Sequence, residues 1–370
     1  MDRTTQLLSL VLWGLLGLAL TLGGTTSVQA QTGPSLRSVD RPYKVALDPT
    51  YQYYETSDET ILSEASTHLR ASVPIGQRFT AQARIGYARM GGDPTQVQGL
   101  TDAVGGFKYA QSVGEGSVVM SATVNVPTGK SKLSQTEFAT TRSLSRNFYD
   151  FEVSTFSRGP SISPRVTYAR PINDQLAIGI GVGYQHYREY EPQADAGEYV
   201  PGDGVGGNVG LNYKLSETSA VGGDLSFRRY ATDEREGKTT FDAGSRISGT
   251  ARYLRQLDFT RIRVLVRYTR WSESEFSFQT GTPDQGRIIP SNVMLLGGYK
   301  TRLTDTIDLR TRVSGHRYTE TDFTDTKTFG RAYVSPSFEV TEQIAVAPHG
   351  AVSYGSFLGL GGGIRVEGTF

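Results

Sequence analysis

Apolar and polar residues alternate along most of this chain with a period of two. In "RFTAQARIGYAR" (78–89), Phe79, Ala81, Ala83, Ile85 and Tyr87 share one face, and Arg78, Thr80, Gln82, Arg84 and Gly86 share the other. In "TRIRVLVRYTRW" (260–271), Ile262, Val264, Val266 and Tyr268 oppose Arg261, Arg263, Leu265, Arg267 and Thr269. In "TIDLRTRVSGHRY" (306–318), Ile307, Leu309, Thr311 and Val313 oppose Asp308, Arg310, Arg312, Ser314 and His316. Alternation with charge on one face is the pattern of a half-buried strand. Runs of this kind predict sixteen strands, at 43–54, 61–73, 78–89, 101–111, 116–126, 149–170, 175–188, 205–214, 219–230, 240–256, 259–271, 287–302, 306–318, 327–340, 343–353 and 357–370. The 149–170 run is open to a break at Gly159-Pro160. Fourteen strands is the alternative count, because the final hairpin is short.

A soluble sandwich also alternates, so the connections must decide. Tight turns are predicted at Gly76-Gln77, Gly114-Glu115-Gly116, Asn173-Asp174, Ser216-Glu217-Thr218, Thr304-Asp305 and Glu342-Gln343. Between them lie longer polar segments at 90–101, 127–148, 189–204, 231–239, 272–286 and 319–326. Short turns on one side and long loops on the other are the rhythm of a transmembrane barrel. The aromatic residues agree. Tyr51, Tyr53, Tyr87, Tyr184 and Tyr268 fall near one end of the outward faces; Phe107, Tyr109, Tyr168, Tyr213, Tyr253, Tyr299 and Phe338 fall near the other. Amphipathic rings favour the two membrane–water boundaries. The fold class is therefore all-β: a transmembrane antiparallel up-and-down β-barrel of about 14–16 strands.

Both ends of the sequence fit that reading. Residues 1–30 carry Arg3, an apolar run from Leu7 to Leu22, and Val28-Gln29-Ala30, the features of a secretory signal peptide cleaved after Ala30. The run is short for a spanning helix, which takes about 20 residues. Residues 31–42 are expected as a short periplasmic segment and 43–370 as the barrel. In the tail "GLGGGIRVEGTF", Leu360, Gly362, Ile364, Val366, Gly368 and Phe370 share one face. An amphipathic last strand ending on Phe370 resembles the signal read by the bacterial barrel assembly machinery. The expected compartment is the bacterial outer membrane, with its lipid and that machinery as partners.

Composition narrows the chemistry. A net charge of +1 leaves no basic excess for nucleic acid, and the absence of cysteine removes disulfide and thiolate chemistry. A hydrophobic content of 37% is low for a chain that must fill a large core, and suits a barrel with a polar lumen. The segment "VNVPTGKSKL" (125–134) contains TGKS, but a phosphate-binding loop needs a glycine five residues before Gly129, where Val124 stands. No amphipathic helix is expected after it, so it reads as a strand running into a Pro-Gly turn. No cofactor and no metal site is expected.

Residues 102–215 resemble the outer-membrane channels of the phenol-degradation (meta-pathway) transporter group, distant relatives of the long-chain fatty-acid channel. The resemblance rests on "DAVGGFKYA", "VNVPTGKSKLS", "VTYARPINDQLAIGIGVGYQHYREYEP" and "EYVPGDG". It implies a channel for small solutes. The fatty-acid channel closes its lumen with an N-terminal hatch. Here "QTGPSLRSVDRP" is too short for one, so mechanisms that use a hatch do not carry over.

The inward faces are expected to carry Arg84, Arg165, Arg228, Arg246, Arg252, Arg261, Arg263, Arg267, Arg310, Arg312, Arg331 and Arg365, against Glu64, Asp102, Asp224, Asp242, Asp308, Glu339 and Glu367. The pore-lining candidates are Arg84, Arg228, Arg246, Arg252, Arg263, Arg267, Arg310 and Arg312. Most are expected to pair across strands and stiffen the wall; an arginine-rich wall also attracts anions. The reading is passive uptake of small, partly hydrophobic solutes, aromatic or aliphatic acids. A structural or adhesive barrel is the alternative, and an outer-membrane hydrolase a weaker one. For the last, His316 and Ser314 share a face, but that face points into the lumen.

Overall fold

The computed structural model describes residues 42–370 except 57–60, 93–94, 146–153, 155, 157 and 277–283. The expected signal peptide and nearly all of the segment 31–42 lie outside the described residues. Among the described residues there are twenty-two strands and one helix: β1 (Lys44–Thr56), β2 (Ile61–Ile75), β3 (Phe79–Gly92), β4 (Gln96–Leu100), β5 (Ala103–Val113), β6 (Gly116–Val126), α1 (Gln135–Ser145), β7 (Ser161–Pro171), β8 (Leu176–Tyr187), β9 (Tyr199–Val200), β10 (Gly204–Lys214), β11 (Ser219–Tyr230), β12 (Thr232–Arg235), β13 (Lys238–Asp242), β14 (Ser245–Leu257), β15 (Thr260–Trp271), β16 (Ser274–Phe276), β17 (Asp284–Gly286), β18 (Asn292–Thr304), β19 (Ile307–Tyr318), β20 (Lys327–Glu339), β21 (Ile344–Gly355) and β22 (Phe357–Thr369).

Sixteen of these strands form a closed antiparallel barrel. Each pairs with its neighbour in the chain, and β1 closes on β22 from Lys44↔Thr369 to Thr56↔Phe357. Closure leaves no edge with unpaired backbone groups, which is what a wall in contact with lipid requires. β4 continues the sheet outward from β3 alone. The wall is inside-out relative to a soluble protein. Leu47, Val182, Val205, Leu225, Val264 and Leu295 are exposed on its outer face, while Gln52, His68, Thr167, Thr269 and Ser314 are buried on its inner face.

The short turns gather at the end that holds Tyr43 and Phe370, whose backbones exchange two hydrogen bonds of 2.8 and 2.9 Å. Gly76 and Gly114 take positive φ there, at 63° and 58°. Asn173 Oδ1 closes another turn by accepting from the N–H groups of Gln175 and Leu176. The long connections share the opposite, outer end. Among the described residues they carry regular structure: β4, α1, β9, β12, β13, β16 and β17. β17, β16, β13, β12 and β9 form a five-stranded sheet above the wall.

Three sequence boundaries change. Within the 149–170 run the described strand is Ser161–Pro171; 149–153, 155 and 157 lie outside the described residues. Ser154, Phe156 and Arg158 belong to the segment that enters the barrel mouth. The 240–256 run is two strands: β13 in the outer sheet and β14 in the wall, with Gly244 at φ 74° at the corner between them. The 287–302 run begins at Asn292. A helix also follows TGKS, contrary to expectation. α1 opens with a capping box: Ser134 N–H donates to Glu137 Oε2 (3.0 Å), and Glu137 N–H donates to Ser134 Oγ (3.3 Å). Lys130 pairs with Glu137. The TGKS lysine thus neutralises the helix's own acid, and the capping residues occupy the N-terminus that a phosphate would need.

Candidate functional site

Period-two alternation carries the predicted arginines to the lumen and leaves mainly apolar side chains on the membrane face between its two rims. The structure brings them into two groups. Arg228, Arg246, Arg252 and Arg267 surround a cavity of about 80 Å³ with Arg165. Arg310 and Arg312 line a second cavity of about 290 Å³ with Arg70, Arg331, Arg365, His68 and His349. Arg84 stands apart on β3, in register with Arg70. Arg263 lies between the groups: Gly298 of β18 pairs with Arg263 on one side and Arg312 on the other. A Cβ at Gly298 would stand 3.9 Å from the Arg263 Cβ.

Part of this wall is paired, as expected. Arg252 reaches Asp224 at 2.5 Å and Asn212 at 2.9 Å. Arg365 reaches Asp48 at 2.7 Å, with Arg70 3.6 Å from the same carboxylate. Arg228 donates to Gln185 (3.1 Å), and Arg246 lies over the Trp271 ring (5.5 Å to its centroid). Glycines make room for these side chains. A Cβ at Gly222 would stand 2.7 Å from Arg252 Nε and 2.5 Å from Asn212 Oδ1. Arg263, Arg267 and Arg310 have no carboxylate partner among the described residues, and Arg312 lies over the Tyr333 ring at 5.8 Å. Arg165, Arg228 and Arg246 likewise have no carboxylate partner among the described residues.

Two predicted lumenal acids sit elsewhere. Asp242 belongs to β13 of the outer sheet and pairs with Arg229 at 2.6 Å. Asp102 lies at the rim between β4 and β5, where the alternation has ended. Its Oδ1 accepts from Gly129 N–H (3.1 Å) and its Oδ2 from Arg158 N–H (2.8 Å). Burial pushes its carboxyl up to about 6, against the pull of those two donors. Thr128 joins the same knot, donating to Thr101 O and accepting from Ala103 N–H. "DAVGG" and "VPTG" therefore meet in space as one latch.

The latch ties down the segment after β6, the plug, so called for its place at the mouth. Leu133, Phe138 and Phe156 pack at the outer mouth against Tyr54, Leu62, Met90, Tyr318, Phe329 and Phe357 of the wall and rim. Buried Glu64 takes the other anchor, accepting from Ser154 N–H (3.1 Å) and Ser154 Oγ (2.7 Å). A second cluster lies where the outer sheet meets the wall: Tyr230 and Trp271 stack at 5.5 Å and pack with Phe241, Phe276, Ile288 and Ile289. Asp233 ties the outer sheet to the loop before β10. It accepts from Tyr199 Oη and from Gly202 N–H (2.6 Å), and burial pushes its carboxyl up to about 7.

These inward aromatics were missed from sequence, although the signal was there. Trp271, Tyr318 and Tyr230 sit on the arginine face by the same count of two that placed Arg267, His316 and Arg228. His316 Nε2 and Ser314 Oγ are 3.0 Å apart, inside a stack with Phe329 (4.7 Å) and Tyr318. The expected outward belts are in place: Tyr51, Tyr87, Tyr184 and Tyr268 are exposed toward the outer end, and Phe107, Tyr213, Tyr299 and Phe338 toward the turn end.

No family profile and no curated protein matches the sequence. Solved structures do match in shape. An outer membrane channel from Pseudomonas putida F1 is 9% identical, with 91% of this chain and 99% of that chain covered and a TM-score of 0.42. The CymD monoaromatic hydrocarbon channel is 12% identical, with 90% and 89% covered and a TM-score of 0.47. An anion-selective porin from Comamonas acidovorans is 11% identical, with 89% and 98% covered and a TM-score of 0.41.

Proposed function

We propose that this barrel is a gated channel for passive uptake of small, partly hydrophobic acids, aromatic or aliphatic, across the bacterial outer membrane. One observation carries the reading: four arginines without carboxylate partners, Arg263, Arg267, Arg310 and Arg312, line the lumen below a mouth built of aromatic side chains. A solute with an apolar body and a carboxylate head meets both in order. The guanidinium fork binds a carboxylate bidentately, and a wall of such forks favours anions over neutral analogues. A barrel of about sixteen strands holds a lumen wide enough for such a solute once the mouth opens.

The test replaces Arg263, Arg310 and Arg312 together by Gln and follows uptake into proteoliposomes. Uptake of an aromatic acid is expected to fall more than uptake of its neutral analogue. Equal loss of both rejects selection by charge. The packed mouth favours a second reading, a structural barrel without transport; it prevails if correctly folded unmodified protein moves neither solute. A hydrolase is the weaker alternative, because both serine–histidine contacts, Ser314–His316 and Ser154–His68, are buried inside the barrel.

A further inference from the structure

The lipid-facing surface is uneven in charge. At the turn end it carries Arg170 and Arg255. At the outer end, just beyond the aromatic belt, Arg229, Arg270 and Arg317 point outward from β11, β15 and β19. Arg229 is held by Asp242. Arg270 and Arg317 have no hydrogen-bond or ion-pair partner among the described residues. Register relates them: Arg317 pairs with Val293, and Val293 pairs with Tyr268, two residues before Arg270. Two strand spacings and two residues of rise put their Cα atoms about 12 Å apart.

A groove runs down the wall from Arg317. Val293, Leu295 and Tyr354 wall a hollow of about 420 Å³ over Gly315 and Gly330, with Arg317 at its outer end. Below it a larger hollow, about 960 Å³, continues toward mid-membrane between Val313, Val334 and Val352. From Arg317 to Thr311 the groove follows β19 for about 20 Å. An apolar channel of that length, open to the membrane, with Arg317 at its outer end and Arg270 about 12 Å to its side on β15, matches an acyl chain whose headgroup is anionic. Arginine pairs with phosphate through parallel charge-assisted hydrogen bonds. The headgroup end lies at the long-loop rim, which faces the outer leaflet if the barrel has the usual orientation.

We propose that the lipid face of β19–β21 seats one acylated, phosphate-bearing glycolipid of the outer leaflet, with a chain in the groove and phosphate on Arg317 and Arg270. The binding does not depend on transport, so its failure and that of the channel reading are separate results. The test is native mass spectrometry of the folded barrel in detergent, titrated with lipid A and with lipid A stripped of its phosphates. Stripping, or the double change Arg270→Gln with Arg317→Gln, is expected to weaken binding by about tenfold or more, the loss of one or more hydrogen bonds between charged groups. Gly315→Leu is expected to weaken it likewise by filling the groove. A Cβ there meets no atom within 4 Å, so the variant is expected to fold, and heat-modifiability checks it. Arg170→Gln with Arg255→Gln, at the other rim, is expected to leave binding unchanged. Equal binding of both lipids, equal loss from the lower-rim pair, or a protein dimer in place of lipid adducts overturns the proposal.

Discussion

Asp102 makes the plug sensitive to pH, with a sign opposite to that of an ordinary salt bridge. When the segment after β6 is docked, the carboxyl is buried and titrates at about 6; released into water it returns toward 3.8. Docking therefore takes up a proton. The contribution of Asp102 to the docked state is fully present below 3.8 and is lost as pH rises through about 6. A shift of this size is worth about 3 kcal/mol over the whole range. Integrated between pH 5 and pH 7, it changes the docking equilibrium by about tenfold, toward release at pH 7. The assay is single-channel conductance in a planar bilayer: open probability is expected to rise about tenfold from pH 5 to pH 7. Asp102→Asn removes the titrating group and flattens the response. The variant is needed because Asp233, in the outer sheet, is pushed in the same direction. Openings that become more frequent on acidification, or a full pH response in Asp102→Asn, would refute the latch argument.

Other expectations concern anchors and faces. Glu64→Ala removes the acceptor of Ser154 N–H and Oγ and is expected to raise resting conductance; unchanged conductance would mean that the plug does not depend on this anchor. Arg placed at Val264, mid-strand on the lipid face, is expected to destabilise by about 2–4 kcal/mol in denaturant titrations, whereas Thr250→Arg on the lumen face should be mild. Equal damage would falsify the face assignment. Thr269, inward by alternation, is a poorer comparison, because it is buried and bonded to Ser248. Deleting Phe370, whose backbone closes on Tyr43, is expected to slow assembly and lower the heat-modifiable fraction in the outer membrane.

Sequence alone determined the wall. A period of two is a local property of an extended backbone, and a membrane imposes it strand by strand. A barrel of 14–16 strands, the side of each turn, the outward aromatic belts and the inward course of Arg228, Arg246, Arg252, Arg263, Arg267, Arg310 and Arg312 were legible without tertiary information. The boundaries failed where the chain leaves the wall: at 158–160, at 240–244 and at 287–291. There the alternation stops reporting a membrane and the local pattern no longer says where the chain goes. The capping box at Ser134 and Glu137 was readable but unread, because the polar segment around it shows no apolar stripe; α1 is held by its cap and by Phe138 in the mouth. Only the tertiary structure decided that the mouth is packed. Asp102 and Gly129 are 27 residues apart, and Glu64 and Ser154 are 90 apart. Such contacts depend on barrel closure, which brings a rim acid and a distant loop within hydrogen-bond reach, and no periodicity in the sequence encodes that distance.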